Sequence, residues 1–388
     1  MPKVSVLLPV YNAEAFLALA LASLLQQTQG DMAIIAIDDG STDLSGAILD
    51  AAAEEDRRIR VIRRENRGLV ATLNEALDLA DSDDLARMDA DDLAYPLRIE
   101  MQQRILDANA GLGLLGCNFD TILRPGLVLP APPPILTRPG ARAILGRFCT
   151  PLRHPTVMMR RSRIPEGMLR YDPAYPCAED FDLFRRLGAV TGIAQTAAPH
   201  LAYRLHPGSV SVRQIGVQTQ SHLRILEENL ARHYPAAAGT GFVGLGDAVT
   251  AARVAAAAEM IRRLDAMTAA QPEAERAAFA TGVTNSFYFL FALLRRSADH
   301  GLARDFVAAA GRWPSIRRRE RLLLQADPVV PGLAGLGFPL SDWSAGLRHR
   351  LAAQPAGLRV PHHDQLLRRA RRFEAAARGG HGAVDHAA

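Results

Sequence analysis

Val4-Ser5-Val6-Leu7-Leu8-Pro9-Val10-Tyr11-Asn12-Ala13-Glu14 opens the chain with a near-continuous apolar run that breaks into a polar turn. So little alternation predicts a parallel strand covered on both faces. A helix follows through Phe16, Leu17, Leu21, Leu24 and Leu25, with Asn12 as its N-cap. The pattern then repeats. A second apolar run over residues 33–37 ends at Asp38-Asp39-Gly40-Ser41, where Ser41 or Thr42 would cap the next helix. Residues 59–62 read as a third strand, Leu69, Leu73 and Leu77 as one face of a helix, and residues 85–88 as a fourth strand. This β-α-β-α-β-α-β order predicts an α/β fold with a mostly parallel central sheet and helices on both faces.

Such sheets bind ligands beyond the carboxyl ends of their strands. Three conspicuous polar segments fall there: residues 9–14, 38–43 and 89–92. In Asp89-Ala90-Asp91, extended chain would point both carboxylates the same way, since side chains i and i+2 share a face. Hard oxygen ligands in an open site suit Mg²⁺ or Mn²⁺ held together with a substrate's phosphates. Asp38-Asp39-Gly40-Ser41 has two readings, a turn with a helix cap or a carboxylate accepting from a base or ribose.

Past residue 95 the regularity fades. Tyr95-Pro96 starts a helix running to Leu106, and residues 112–117 and 156–159 read as strands. Residues 125–139 hold six prolines and read as an extended loop. Residues 178–187 form a short helix and 200–205 a last strand; from about 215 the chain is alanine- and arginine-rich and helical. We therefore divide it into residues 1–214, which carry the chemistry, and residues 215–388, a helical region of unassigned role.

The 388 residues allow two or three domains and a substantial core. An apolar share of 48% and a charged share of 22% are those of an ordinary globular protein. The net charge of +4 conceals a contrast. Residues 1–214 carry 23 basic and 26 acidic side chains, whereas residues 215–388 carry 22 and 15. Lys3 is the only lysine, so arginine reflects a coding bias and no single arginine is strong evidence for a phosphate ligand. Three cysteines without metal-ligand spacing fit a reducing compartment. The N-terminal run is too short for a signal peptide, and the apolar stretch 287–294 ends at Arg295-Arg296, too short to span a bilayer. A cytoplasmic protein, at most peripheral on a membrane, is expected.

At this point a resemblance is plain. The opening string, then Ile37-Asp38-Asp39-Gly40-Ser41-Thr42-Asp43, Asn66-Arg67-Gly68-Leu69 and Met88-Asp89-Ala90-Asp91-Asp92 resemble family 2 glycosyltransferases, in that family's order. His154-Pro155-Thr156-Val157, Ala178-Glu179-Asp180-Phe181-Asp182-Leu183 and Tyr203-Arg204-Leu205-His206-Pro207-Gly208-Ser209-Val210-Ser211 continue it. The resemblance ends near residue 211. It implies a GT-A fold and inverting transfer of a sugar from a nucleotide-diphosphate donor, UDP-sugar favoured, to a saccharide, lipid-linked or other hydroxyl acceptor in polysaccharide, glycolipid or glycoconjugate synthesis. Pro9, Tyr11, Glu14 and Asp39 would line the nucleoside pocket, with Arg67 near base or phosphates and Asp89 facing the ribose. Asp91 would hold Mn²⁺ or Mg²⁺, and His206 would contact metal or diphosphate or else simply occupy a Pro-Gly turn. Asp180 would be the general base, with Glu179, Ser209 and Ser211 on the acceptor side. A hydroxyl is a weak nucleophile until its proton is removed, so the chemistry itself asks for such a carboxylate. His154 reads as structural and Cys177 as packing.

Other readings are weaker. Gly111-x-Gly113-x-x-Gly116 matches a dinucleotide fingerprint in letters, but it enters a strand instead of a helix, and Gly111 reads as a helix C-cap. A nucleotidyltransferase would share the sheet and metal, yet its glycine-rich Thr-Arg loop is absent. No G-x-S-x-G, P-loop or H-E-x-x-H occurs. A catalytically degenerate binding protein is the non-enzymatic alternative. Arg317-Arg318-Arg319 and Arg368-Arg369 with Arg371-Arg372 lack interleaved aromatics, which argues against nucleic acid. Leu366-Leu367 beside those arginines suggests a basic amphipathic helix on anionic lipid, and a solvated helix face is the plainer account.

Overall fold

The computed structural model describes residues 2–124, 127–131, 139–209, 213–239, 241–297, 299–326 and 363–382. Strands β1 (Val4–Val10), β2 (Met32–Asp38), β3 (Ile59–Arg63) and β4 (Asp84–Arg87) alternate with helices α1 (Leu17–Leu25), α2 (Ser45–Glu55) and α3 (Leu69–Leu79). After them come β5 (Leu93–Ala94), α4 (Arg98–Ala108), β6 (Leu112–Arg124), β7 (Leu127–Leu129), α5 (Pro139–Leu145), β8 (Val157–Arg160), α6 (Glu179–Leu187) and β9 (Gly192–Arg204). The sheet runs β3-β2-β1-β4-β8-β6-β9-β5, with β7 hairpinned onto β6. Its first four strands are parallel as expected, while β8 joins β4 and β6 antiparallel and β9 lies parallel to β6. The sheet is thus mixed beyond β4, a GT-A arrangement.

Both faces are covered, which is why β1 shows so little alternation in its sequence. Val4, Val6, Leu8 and Val10 face one core with Leu17, Leu21 and Leu24 of α1, whereas Leu7 faces the other with Leu73 and Leu77 of α3 and Phe184 of α6. Ser5 is buried between them and shares a 2.8 Å hydrogen bond with Ser82 Oγ.

The expected caps fall elsewhere. Helix α1 starts after Phe16 and α2 after Leu44, neither with a side-chain cap, so Asn12, Ser41 and Thr42 do not cap them. Asn109, not Gly111, closes α4. Gly113 and Gly116 lie in β6, where a Cβ would run into the side chains of Thr191 and Leu152; their role is close packing. Within the proline-rich segment, Leu127–Leu129 pairs with β6 as a strand, contrary to the loop expected there.

Residues from 215 onward form α7 (Ile215–His233), α8 (Ala251–Met267), α9 (Glu273–Leu294), α10 (His300–Ala309), α11 (Arg318–Ala326) and α12 (His363–Gly382). Helices α7 to α11 and α5 enclose a separate core around Phe148, Phe279, Phe287 and Phe306. Helix α9 is longer than the apolar stretch suggested. Among the described residues it alone is long and apolar enough to cross a membrane by length and composition, and half of that stretch is buried in this core. At Gly282 it meets the Phe148 ring so closely that a Cβ would clash.

Helix α12 returns to the sheet. Leu366, Ala370, Phe373 and Ala377, one stripe at helical spacing, are buried in the core shared by β1, α1 and α2. Arg369 pairs with Glu55 at 2.7 Å. The apolar face expected to meet lipid therefore meets the protein's own sheet layer, while Arg368, Arg371 and Arg372 face outward.

Candidate active site

Parallel register sets Val10 opposite Asp38, so the β1 and β2 turns leave the sheet side by side. Their polar groups bond across the two turns. Asn12, in the left-handed region at φ 47, donates its N–H to Ser41 Oγ (3.0 Å) and accepts from Thr42 N–H (2.8 Å). Ala13 N–H donates to Ser45 Oγ and Glu14 N–H to Asp43. Asp39 is buried; it accepts from the N–H groups of Arg67 (2.8 Å) and Gly68 (2.9 Å) and from the Arg64 guanidinium. Gly40, at φ +77, packs so tightly that a Cβ would sit 2.8 Å from Asn66 N.

The structure thus brings Pro9, Tyr11, Asp39 and the Arg67 backbone together at the carboxyl edge. Tyr11 is 54% exposed, and the Arg67 side chain reaches solvent. Glu14 stands apart. Its carboxylate accepts from Leu44 N–H (2.9 Å) and lines a cavity of about 220 Å³ with Glu374, Ala377 and Arg378 of α12. Arg64, which holds Asp39, was missed; its signal was an arginine pair ending a strand, which coding bias obscured.

At the end of β4, Asp89 to Asp92 form a turn in which Asp92 N–H meets Asp89 C=O at 3.4 Å. The chain is therefore not extended, and the turn recruits a third carboxylate. Oxygens of Asp89, Asp91 and Asp92 all lie within 4.8 Å of one another. Asp89 pairs with buried Arg87, and Asp92 accepts from Arg204 N–H (2.8 Å). Burial and the neighbouring Asp89 push the Asp91 carboxyl upward, and burial with both neighbours pushes Asp92 well above the usual range. Asp92 Oδ2 is buried without a hydrogen-bond partner. Crowded hard oxygens with an unsatisfied member fit a divalent cation. Asp92, Arg87 and Arg204 were not anticipated. The available signal was Arg87 itself, since an arginine inside a short buried strand must have a partner.

His206 occupies the Pro-Gly turn and reaches the acid turn through Asp91. Its Nδ1 accepts from Gly208 N–H (3.2 Å) within the turn, and its Nε2 lies 2.9 Å from Asp91 Oδ2. With Nδ1 accepting, the proton sits on Nε2 and is donated to Asp91. In that state His206 orients Asp91 and has no lone pair left for a cation. The Phe16 ring packs against His206, with the Arg204 guanidinium 4.6 Å from its centroid.

The second acidic pair begins α6. Asp180 Oδ1 accepts from Phe181 N–H at 2.7 Å. Burial raises the Asp180 carboxyl to about 6, opposed by that N–H and by Arg153 and Arg87. Glu179 is raised to about 7 by burial and the adjacent Asp180. Glu179 lies in the interior, 3.9 Å from His154 Nδ1, which differs from the acceptor-facing position expected. His154 is buried, kept neutral by burial and Arg87, and bonded through Nε2 to Tyr171 Oη (2.8 Å), the structural role anticipated. Arg87 links the two groups: it is fully buried, and its charge acts on Asp89 and Glu179 alike.

Ser209 is buried, its N–H donating to His206 C=O (3.0 Å); Ser211 lies outside the described residues. Cys177 takes a left-handed φ of 60 in the turn before α6, with Sγ 3.0 Å from Gln214 Oε1 at the start of α7, where packing was expected.

Comparison with known proteins agrees with this geometry. The sequence profile of "Glycosyl transferase family 2" matches residues 5–124. An uncharacterized glycosyltransferase of Haemophilus influenzae is 30% identical over 239 residues, 59% of this chain and 73% of that protein. The chondroitin synthase of Escherichia coli is 25% identical over 233 residues, 60% of this chain but only 33% of the synthase. Among solved structures, S. aureus TarS 1-349 in complex with UDP-GlcNAc superposes with a TM-score of 0.50 at 16% identity, covering 80% of this chain and 88% of that one. Fold, motif order and sequence relatives converge: the chain belongs to glycosyltransferase family 2.

Proposed function

We propose that this glycosyltransferase moves a sugar, with inversion, from a nucleotide-diphosphate donor to a hydroxyl of a saccharide, lipid-linked or other acceptor during polysaccharide or glycoconjugate assembly. The observation that carries the reading is the pairing of a crowded acid turn, Asp89 to Asp92, with a separate half-buried base candidate, Asp180, across Arg87. Pro9, Tyr11 and Asp39 would receive the nucleoside, and UDP is the favoured nucleotide. Asp91, with Asp89 and Asp92 beside it, would hold Mg²⁺ or Mn²⁺, and His206 would keep Asp91 aimed. The cation would neutralise charge gathering on the departing diphosphate. Asp180 takes the proton from the acceptor hydroxyl as that oxygen bonds to the anomeric carbon and the bond to the diphosphate breaks. Direct attack by the acceptor oxygen is a single displacement, which inverts the anomeric centre.

Three free thiols support a cytoplasmic setting, and the outward arginines of α12 would allow peripheral contact with anionic lipid. The test is a panel of nucleotide sugars with Mn²⁺ or Mg²⁺, followed by thermal shift and nucleotide release. At least one donor should stabilise the protein only with the cation. No response to any donor would overturn the reading.

A further inference from the structure

Most arginines around the site are paired: Arg64 with Asp39, Arg87 with Asp89, Arg185 with Glu228 and Arg186 with Asp182. Arg153 is different. Its side chain is exposed, and among the described residues it has no carboxylate within ion-pair distance. It is nonetheless held in place. Its guanidinium carbon lies 5.6 Å from the Tyr203 ring centroid and 5.9 Å from that of Phe119. Its carbonyl accepts from Thr156 N–H (3.0 Å) and Thr156 Oγ1 (2.6 Å), and the next residue, His154, is buried beside Glu179.

A guanidinium resting on aromatic faces keeps its N–H edge free for a planar oxyanion and loses little freedom in meeting one. Its position indicates which oxyanion. The cations whose charge acts on Asp180 are Arg153 and Arg87, whereas Asp91 bonds to His206 and Asp92 to the Arg204 N–H. Arg153 also lowers the buried His222, which packs on Phe181, the residue after Asp180. Arg153, one residue before the His154 that lies 3.9 Å from Glu179, therefore stands on the side of the site where Asp180 would receive the attacking hydroxyl.

We propose that Arg153, laid over Phe119 and Tyr203 beside Asp180, recognises an oxyanion on the acceptor, so that the acceptor is an acidic saccharide or a phosphate-bearing chain. This rests on the reading of Asp180 as the base. The carboxylate of a uronic acid and a phosphate ester offer the same chemistry to the guanidinium, and the experiment separates them.

Binding to the full-length protein with Mg²⁺ and UDP is followed by saturation-transfer NMR, so the readout does not depend on turnover. The probes are methyl glucuronide against methyl glucoside, and glycerol 3-phosphate against glycerol. A charge-assisted hydrogen bond predicts that one anionic member binds about tenfold better than its neutral partner or more. Arg153→Gln should bring that ratio close to one, while Arg153→Lys retains part of it. The pair that shows the preference identifies the anion. Equal binding of both members in the wild type, or an unchanged ratio in Arg153→Gln, overturns the proposal. So does a loss of UDP affinity in Arg153→Gln matching the loss for the probe, since the oxyanion would then be the donor's diphosphate. Failure of UDP itself to bind the wild type would count against the glycosyltransferase site instead, and the charged-to-neutral ratio would still be read.

Discussion

Two groups of acids flank Arg87, and they are built in opposite ways. At the Asp89–Asp92 turn three carboxylates crowd within 4.8 Å, and two of them still reach solvent. At the start of α6, Glu179 is buried and Asp180 half-buried, with separate partners, His154 for one and the Phe181 N–H for the other. Burial raises Asp91 and Asp92 in the first group and Glu179 and Asp180 in the second, but the remedies differ. Mutual repulsion among converging oxygens is relieved by a cation placed between them, whereas burial of one carboxylate is relieved by a proton. The first arrangement is a cradle for a metal and the second a base that gains a proton readily.

The largest test of that contrast is Asp180→Asn. Loss of a positioned base should lower turnover about 10³-fold while nucleotide binding, measured by calorimetry, stays close to wild type. Comparable loss of binding would merge the two groups into one. Asp91→Asn should cost less, about 10²-fold, and act through the cation. It should remove one of the crowded charges, so the cation-free protein melts higher and gains less from Mn²⁺. An undiminished Mn²⁺ shift would place the cation elsewhere.

A smaller effect lies in pH. Asp180 must be ionised to act, so kcat/KM should fall as pH drops through about 6. Glu179, raised to about 7, is already protonated where Asp180 titrates, so Glu179→Gln should leave this limb nearly where it is. Stability follows the reverse course. Both carboxyls are raised in the folded state, Asp180 from 3.8 and Glu179 from 4.5, so the folded protein binds more protons across the window up to about 7. Their contribution is greatest below about pH 4 and is lost as pH rises towards 7. Denaturant titrations of Glu179→Gln/Asp180→Asn should show that slope flattened. The smallest effect belongs to a control outside both groups: Glu55→Gln breaks ion pairs with Arg369 and Arg372 at the surface and should change stability by about 0.5 kcal/mol.

Much of this was legible in the chain. A strand buried on both faces leaves an apolar run that needs no partner to be recognised, so β1 to β4 were found within a residue or two. Asp89 and Asp91 stood out as two carboxylates after a strand, and Asp180 through the family resemblance together with a reaction that asks for a base. The caps were not, because Asn12, Ser41 and Thr42 bond across two turns distant in sequence and not along their own. Asp92 and Arg87 were hidden by the turn that folds them together. The stripe of α12 gave its own periodicity but no sign of what it covers, so it read as a solvated face or one on lipid, and its burial against α1 and α2 was not foreseen.

Helix α12 has a consequence for biosynthesis. The core it completes is built mainly from residues before 130, yet Phe373 and Ala377 are among the last described residues to leave the ribosome. Until they emerge, the outer surface of α1 and α2 is uncovered, and the nascent chain carries a sticky face for most of its synthesis. Docking of α12 is therefore also the step that ends the exposure of this face to aggregation and to chaperone capture.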